Sequence, residues 1–150
     1  MVTPQLTTIG YAHATQDAQI AELRGKKVEL LADIRALPLS RRAGFSKTSL
    51  RAAVEEAGIE YRHFKHLGTP KEGRDAARKG DYATLRRIYE GQLELPEALA
   101  QMAEIQALAA EKRTCLLCYC GEAEKCHRSL LIEHVFATRD VLHLHPEMPA

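Results

Sequence analysis

Apolar positions along the chain alternate between short continuous runs and helically spaced stretches. Leu6 to Ile9 is a short β-type run that ends at Gly10. Ala14 to Arg24 has helical character, with Thr15 in an N-cap position and Gly25 as its stop. Val28 to Ile34, reading VELLADI, has strand length and the unbroken apolarity of a buried strand. Arg35 to Phe45 is turn-like, carrying Pro38, Ser40 and Gly44, and Ser46 opens a helix to about Ala57 that Gly58 closes. Ile59 to Phe64 predicts a third strand. The basic segment Lys65 to Gly80, punctuated by Gly68, Pro70, Gly73 and Gly80, predicts a long loop of the kind that carries function. Asp81 caps a helix to about Tyr89, and another follows Pro96 as far as Lys112. Thr114 to Cys120 is the most apolar strand, a helix runs from Cys126 or His127 to about Ala137, and Val141 to Leu144 closes the series.

Strands alternating with helices predict a single-domain three-layer α/β sandwich with a mostly parallel, Rossmann-like sheet, and 150 residues suit one such domain. Ligands of these folds sit outside the carboxyl ends of the strands. That rule selects Gly10-Tyr11, Asp33-Ile34-Arg35, His63 and the segment Cys118 to Arg128. Tyr61 and His63 share one face of the third strand, with Tyr61 expected to pack. Aromatics are scarce at 5% and Trp is absent, so the core must be chiefly aliphatic. No apolar run approaches the ~20 residues of a membrane helix, and no signal-peptide pattern opens the chain, so the expectation is a cytoplasmic protein without a membrane partner.

Net charge is only +1, but its distribution is uneven. Arg35, Arg41, Arg42, Lys47 and Arg51 face Asp33 alone between positions 33 and 51. Positions 62–87 hold Arg62, Lys65, Lys71, Arg74, Arg78, Lys79, Arg86 and Arg87 against three acids, whereas Glu90 to Glu111 has five Glu and no cation. Two basic tracts and one acidic one predict a positive side suited to an anion, an anionic small molecule or nucleic acid. Solvated helix faces and loops explain the same tracts equally well. The sequence pI near 7.7 argues against a dedicated nonspecific nucleic-acid binder.

All four cysteines, Cys115, Cys118, Cys120 and Cys126, fall within twelve residues. If Cys126, His127 and Arg128 form a first helical turn, their unpaired N–H groups and the helix dipole favour phosphate or carboxylate. Arg128 would add a clamp, His127 a proton and Cys126 a thiolate of lowered pKa. The competing reading is a small-residue core with Arg128 paired to a carboxylate. The spacing C-x-C-x5-C-H departs from the usual zinc knuckle, and no C-x-x-C joins Cys120 to Cys126 as a redox pair, so no metal ligands are assigned and the cofactor is unknown. The C-x5-R phosphatase signature also fails, since Cys126 stands where its Arg would be relative to Cys120. Asp33 and Arg35 at a strand end serve either a cleft or a loop-ordering ion pair. Pro38, Ser40, Arg41 and Arg42 would bring hydroxyl and guanidinium groups to the same anion.

Taken in order, Thr8-Ile9-Gly10-Tyr11, Asp33-Ile34-Arg35 with Pro38 and Ser40, Gly58-Ile59-Glu60-Tyr61, Leu67-Gly68, and Leu117-Cys118 with Cys126-His127-Arg128-Ser129 resemble domain-of-unknown-function family 488 of bacteria and archaea. The resemblance runs from about Leu6 to Val141-Leu142-His143. It implies a compact α/β sandwich with a shared polar pocket and carries no established activity. In many members Glu occupies the second position after the strand cysteine, where this chain has Cys120, with Glu122 the nearest substitute. The leading expectation is an enzyme that hydrolyses or transfers a group on a nucleotide, nucleic-acid end or other phosphorylated ligand. Asp33, Cys118, Cys126 and His127 are its candidate catalytic residues, and Tyr11, Arg35, Ser40 and Arg128 its candidate binding residues. Two alternatives stand beside it: a noncatalytic nucleic-acid-binding module using the basic loop 62–87, and a metal or redox protein of the cysteine cluster. The oligomeric state is left open.

Overall fold

A computed structural model describes residues 4–12, 14–119 and 127–144. Within them five strands form one sheet: β1 (Leu6–Gly10), β2 (Leu30–Asp33), β3 (Glu60–His63), β4 (Thr114–Cys118) and β5 (Val141–Leu144). All neighbours are parallel, in the order β3-β2-β4-β1-β5. The three inner strands are buried at every position, which is why VELLADI and TCLLC read as continuous apolar runs.

The helices are α1 (Gln16–Gly25), α2 (Lys47–Glu56), α3 (Lys71–Arg78), α4 (Tyr82–Leu93), α5 (Pro96–Glu111) and α6 (His127–Val135). Thr15 caps α1 by accepting the Ala18 N–H, and Asp81 caps α4 by accepting that of Thr84. Strand alternation then builds two cores. Ile9, Leu31, Cys115 and Leu117 meet Leu23 of α1 and Leu50 and Val54 of α2. On the other face Leu6, Ala32, Leu116 and Cys118 meet Tyr89 of α4, Ile105 of α5 and Leu131 of α6. The result is the expected three-layer α/β sandwich, with every strand parallel.

The expected loop at 65–80 is instead a 3-10 turn (Lys65–Leu67) followed by α3, so most of the basic stretch 62–87 is helical. Its breakers are used in other ways. Pro70 takes the N-cap position, which asks for no amide donor. Gly73 lies inside α3, where a Cβ would stand 2.5 Å from Thr69 Cγ2 and 3.3 Å from Ile88 Cγ2, so its bareness lets α3 settle on α4. Gly68 is tighter: a Cβ there would lie 2.0 Å from the Ala36 backbone nitrogen. This crossing brings the start of α3 against the chain that leaves β2.

The helices after β1 and β2 pack on one face, while α6, which follows β4, packs on the other. The connections therefore part at the carboxyl end of β4, where open α/β sheets form ligand crevices.

Candidate functional site

A cavity of about 650 Å³ opens at this point. Tyr11 follows β1, Arg35 to Arg42 follow β2, Tyr119 follows β4, and His127 begins α6; all contribute to its walls, as does Ser40. Thr69, Arg74, Ala77 and Arg78 close the side formed by α3. Of the sequence candidates, the fold thus brings together Tyr11, Arg35, Ser40 and His127. Asp33, Cys118 and Arg128 do not line the cavity, and Cys126 lies outside the described residues, as do Cys120 and Glu122.

Asp33 and Arg35 form the base of the site. Arg35 Nε and Nη2 donate to Asp33 Oδ1 and Oδ2 at 2.8 and 2.6 Å, and the Arg35 amide donates to Oδ1 at 3.1 Å. The Tyr61 hydroxyl donates to Oδ2. Arg35 Nη1 donates to the Tyr11 hydroxyl at 3.0 Å and to the Phe45 carbonyl at 2.6 Å. Both charges are buried, Asp33 completely, and a fork-on-fork pair of this kind is a strong form of ion pairing. Burial opposes the Arg35 charge, but the bonds and charge of Asp33, with Tyr11, outweigh it and raise the pKa. Burial and the Asp33 charge likewise raise the pKa of Tyr61 well above the ordinary tyrosine range. The Tyr11 ring stacks on Phe45, centroids 4.6 Å apart, with the Arg35 guanidinium 5.2 Å from its centroid.

Two histidines hold the backbone just beyond β2. His127 Nε2 lies 2.7 Å from the Ile34 carbonyl, and His63 Nε2 lies 2.7 Å from that of Arg35. A carbonyl only accepts, so each Nε2 carries a proton. Tyr89 packs edge-on against the His127 ring. The turn after β2 is also self-supporting: the Ser40 amide donates to Ser46 Oγ at 3.0 Å, the Arg42 amide donates to Ser40 Oγ at 3.0 Å, and Gln16 Nε2 reaches the Gly44 carbonyl at 2.8 Å.

The arginines of the walls differ in how they are balanced. Arg35 has Asp33, and Arg78 has an exposed pair with Asp75 at 2.9 Å. Arg42 donates to the Ala14 carbonyl and Arg74 to the Thr69 carbonyl, while Arg41 is exposed. Among the described residues Arg41, Arg42 and Arg74 make no ion pair, and no Asp or Glu lines the cavity. The cavity is lined as well by the exposed Leu37, Leu39 and Tyr119, and the Tyr119 ring meets Tyr11 edge-on.

Arg128 is 1% exposed and donates from Nη1 to Thr8 Oγ1, which lies 2.6 Å from His143 Nδ1. Thr8 shares its sheet face with Leu6, toward α6, whereas Asp33 shares the face of Leu31, toward α1 and α2. Arg35 and Arg128 therefore stand on opposite faces of the sheet. Cys115 and Cys118 also point to opposite faces, and burial pushes the Cys115 thiol up to about 12. Among the described residues no group of three or more His, Cys, Asp or Glu side chains gathers as a metal site.

The family model for a domain of unknown function, DUF488, matches residues 15–135. The chain belongs to that family. Within this DUF488 domain the match takes in Asp33, Arg35, Arg41, Arg42, Arg74, Arg78 and His127, and stops at the end of α6. Tyr11 precedes it. No curated protein and no solved structure matches the chain. Among the described residues no helix is long and apolar enough to cross a membrane.

The sequence did not single out Thr69, Leu37 or Leu39 for the site, and took in Tyr119 only as part of the Cys118 to Arg128 segment. Tyr119 was expected inside the strand Thr114 to Cys120, whereas β4 ends at Cys118 and leaves it beyond. Thr69 depends on the Gly68–Ala36 crossing, and no local pattern reveals that.

Proposed function

We propose that the cavity binds a phosphorylated ligand, a nucleotide or nucleic-acid end in class, and that the protein acts on it by hydrolysis or group transfer. The observation that carries the reading is the wall of arginines with no carboxylate among its described residues, three of them without an ion pair to any described acid. An uncompensated guanidinium at a partly enclosed surface gains most from a phosphate, which accepts two parallel N–H bonds. The volume suits a ligand of nucleotide size. Tyr119, Leu37 and Leu39 offer the apolar surface that a base would cover.

In this reading Arg41, Arg42 and Arg74 hold the phosphate, and Tyr11 and Ser40 shape the adjoining wall. His127, the titratable side chain of that wall, moves the proton. Asp33 and Arg35 act as the rigid base, and Arg128 anchors α6 to β1 through Thr8. The reaction itself follows from the group transferred, which binding work must identify first.

The test is calorimetric titration of the full chain with inorganic phosphate and a panel of nucleotides, repeated with Arg42→Ala and Arg74→Ala. A phosphorylated ligand is expected to bind the parent protein. Each variant is expected to lose about tenfold or more, the scale of a charge-assisted bond worth ~1.5–3 kcal/mol. Failure of every phosphorylated ligand to bind, or equal binding by both variants, overturns the reading.

A further inference from the structure

We propose, building on the phosphate reading above, that the ligand is the phosphorylated end of a single-stranded nucleic acid, and that α3 carries the strand's next phosphates away from the cavity. The observation is the placement of cations on α3. Lys71, Arg74 and Arg78 stand at i, i+3 and i+7, one stripe of the helix. Gly73 and Ala76, on another side, are buried. Arg74 and Arg78 border the cavity, and Lys71 extends their line beyond it. At 1.5 Å per residue the stripe is roughly 10 Å long. Stacked phosphates advance ~3.4 Å along one strand, so the stripe reaches two or three of them.

The acids of α3 do not cancel this stripe. Glu72 lies off it; Asp75 stands on it, four residues after Lys71, and offsets one of its three cations in a pair with Arg78, whose side chain is 72% exposed. Exposed pairs of that kind contribute little and yield readily to a phosphate. Within the same cavity lining Tyr119 is 55% exposed and Leu39 66% exposed, surfaces suited to an unstacked base. Aromatic stacking of that sort needs a base free of its duplex partner. The net charge of +1 then becomes informative. A net charge of +1 gives little overall attraction to nucleic acid, so binding rests on cations placed locally, as they are on α3.

The experiment measures affinity of the full chain, by fluorescence polarisation and competition, for short single strands with a 5′-phosphate, a 3′-phosphate or neither. Mononucleotides, inorganic phosphate and a blunt duplex are the comparison ligands. One phosphorylated single strand is expected to bind at least about tenfold more tightly than its mononucleotide. With about three phosphates neutralised, its affinity should fall roughly ten- to twentyfold between 50 and 200 mM salt. Lys71→Glu, a surface change outside the cavity wall, is expected to abolish that advantage while mononucleotide binding stays as it was. Equal binding of strand and mononucleotide, equal binding of duplex, or indifference to Lys71→Glu overturns this inference and leaves the phosphate site standing. Binding of none of these phosphates overturns both.

Discussion

Replacing Asp33 by Asn keeps the shape of the side chain and removes its charge. In the parent protein the carboxylate, wholly buried, accepts four bonds, three from Arg35 and one from Tyr61. An amide presents one acceptor and one donor, so one Asn atom faces hydrogen-bond donors with a donor of its own. The Arg35 guanidinium, 5% exposed, then holds a buried charge with no counter-charge, and keeps as acceptors the one Asn oxygen, the Tyr11 hydroxyl and the Phe45 carbonyl. Removing one member of a buried pair costs about 3–5 kcal/mol. Those retained acceptors put the expected loss near the lower end, about 3 kcal/mol. That is a large share of a typical ~5–15 kcal/mol stability. Urea unfolding followed by circular dichroism reads it as a lower midpoint at unchanged slope. Adding Arg35→Met removes the orphaned charge, so the double variant should be at least ~1 kcal/mol more stable than the sum of the single losses predicts. An Asn variant within ~1 kcal/mol of the parent, with additive losses, refutes the view of this pair as the structural base. If it keeps its stability and loses ligand, Asp33 acts on the ligand instead.

Three further outcomes follow from the same structure. Tyr61 has a raised pKa, so the folded protein keeps a proton that the unfolded chain releases above about pH 10; stability should fall as pH rises past that value, and Tyr61→Phe should flatten the fall in alkaline urea titrations. A steeper fall in the Phe variant contradicts the assignment. Cys115, at about 12 and buried, should resist iodoacetamide at pH 8.5 until the chain is unfolded, as peptide mass spectrometry would show; rapid native labelling contradicts its place in the core. Gly68→Ala should cost ~3 kcal/mol or more because its Cβ meets backbone, whereas Gly58→Ala, with open space but φ +85°, should cost only ~1–2 kcal/mol; thermal melts giving the reverse order refute the crossing at Ala36.

The three inner strands lie where the apolar pattern puts them, because strands covered on both faces need few polar positions and so stand out as apolar runs. Val141 to Leu144 was legible to the residue. The helix ends were nearly as clear where a side chain caps them, at Thr15 and Asp81. α3 was not legible. Pro70 and Gly73 are breakers in isolation, and only the neighbours show that Gly73 is there for packing. That single misreading hid the site's architecture, since a floppy basic loop and a helix with a stripe of arginines make different walls.

The candidate residues divide by a simple rule of desolvation. Asp33, Arg35 and Arg128 drew notice because charges at strand ends and helix starts suggest chemistry. A charge drawn fully out of water must find compensation inside the protein, and the better it is compensated the less it offers a ligand. Asp33 and Arg35 satisfy each other, and Arg128 donates to Thr8 on the opposite face. Arg41, Arg42 and Arg74 drew less notice because they sit in a turn and in the unrecognised helix. Among the described residues those three have no acid partner, Arg42 and Arg74 donating to carbonyls, and the solvent around them is what a phosphate displaces. The most buried charges therefore set the shape of the cavity, and the least compensated ones define what it attracts.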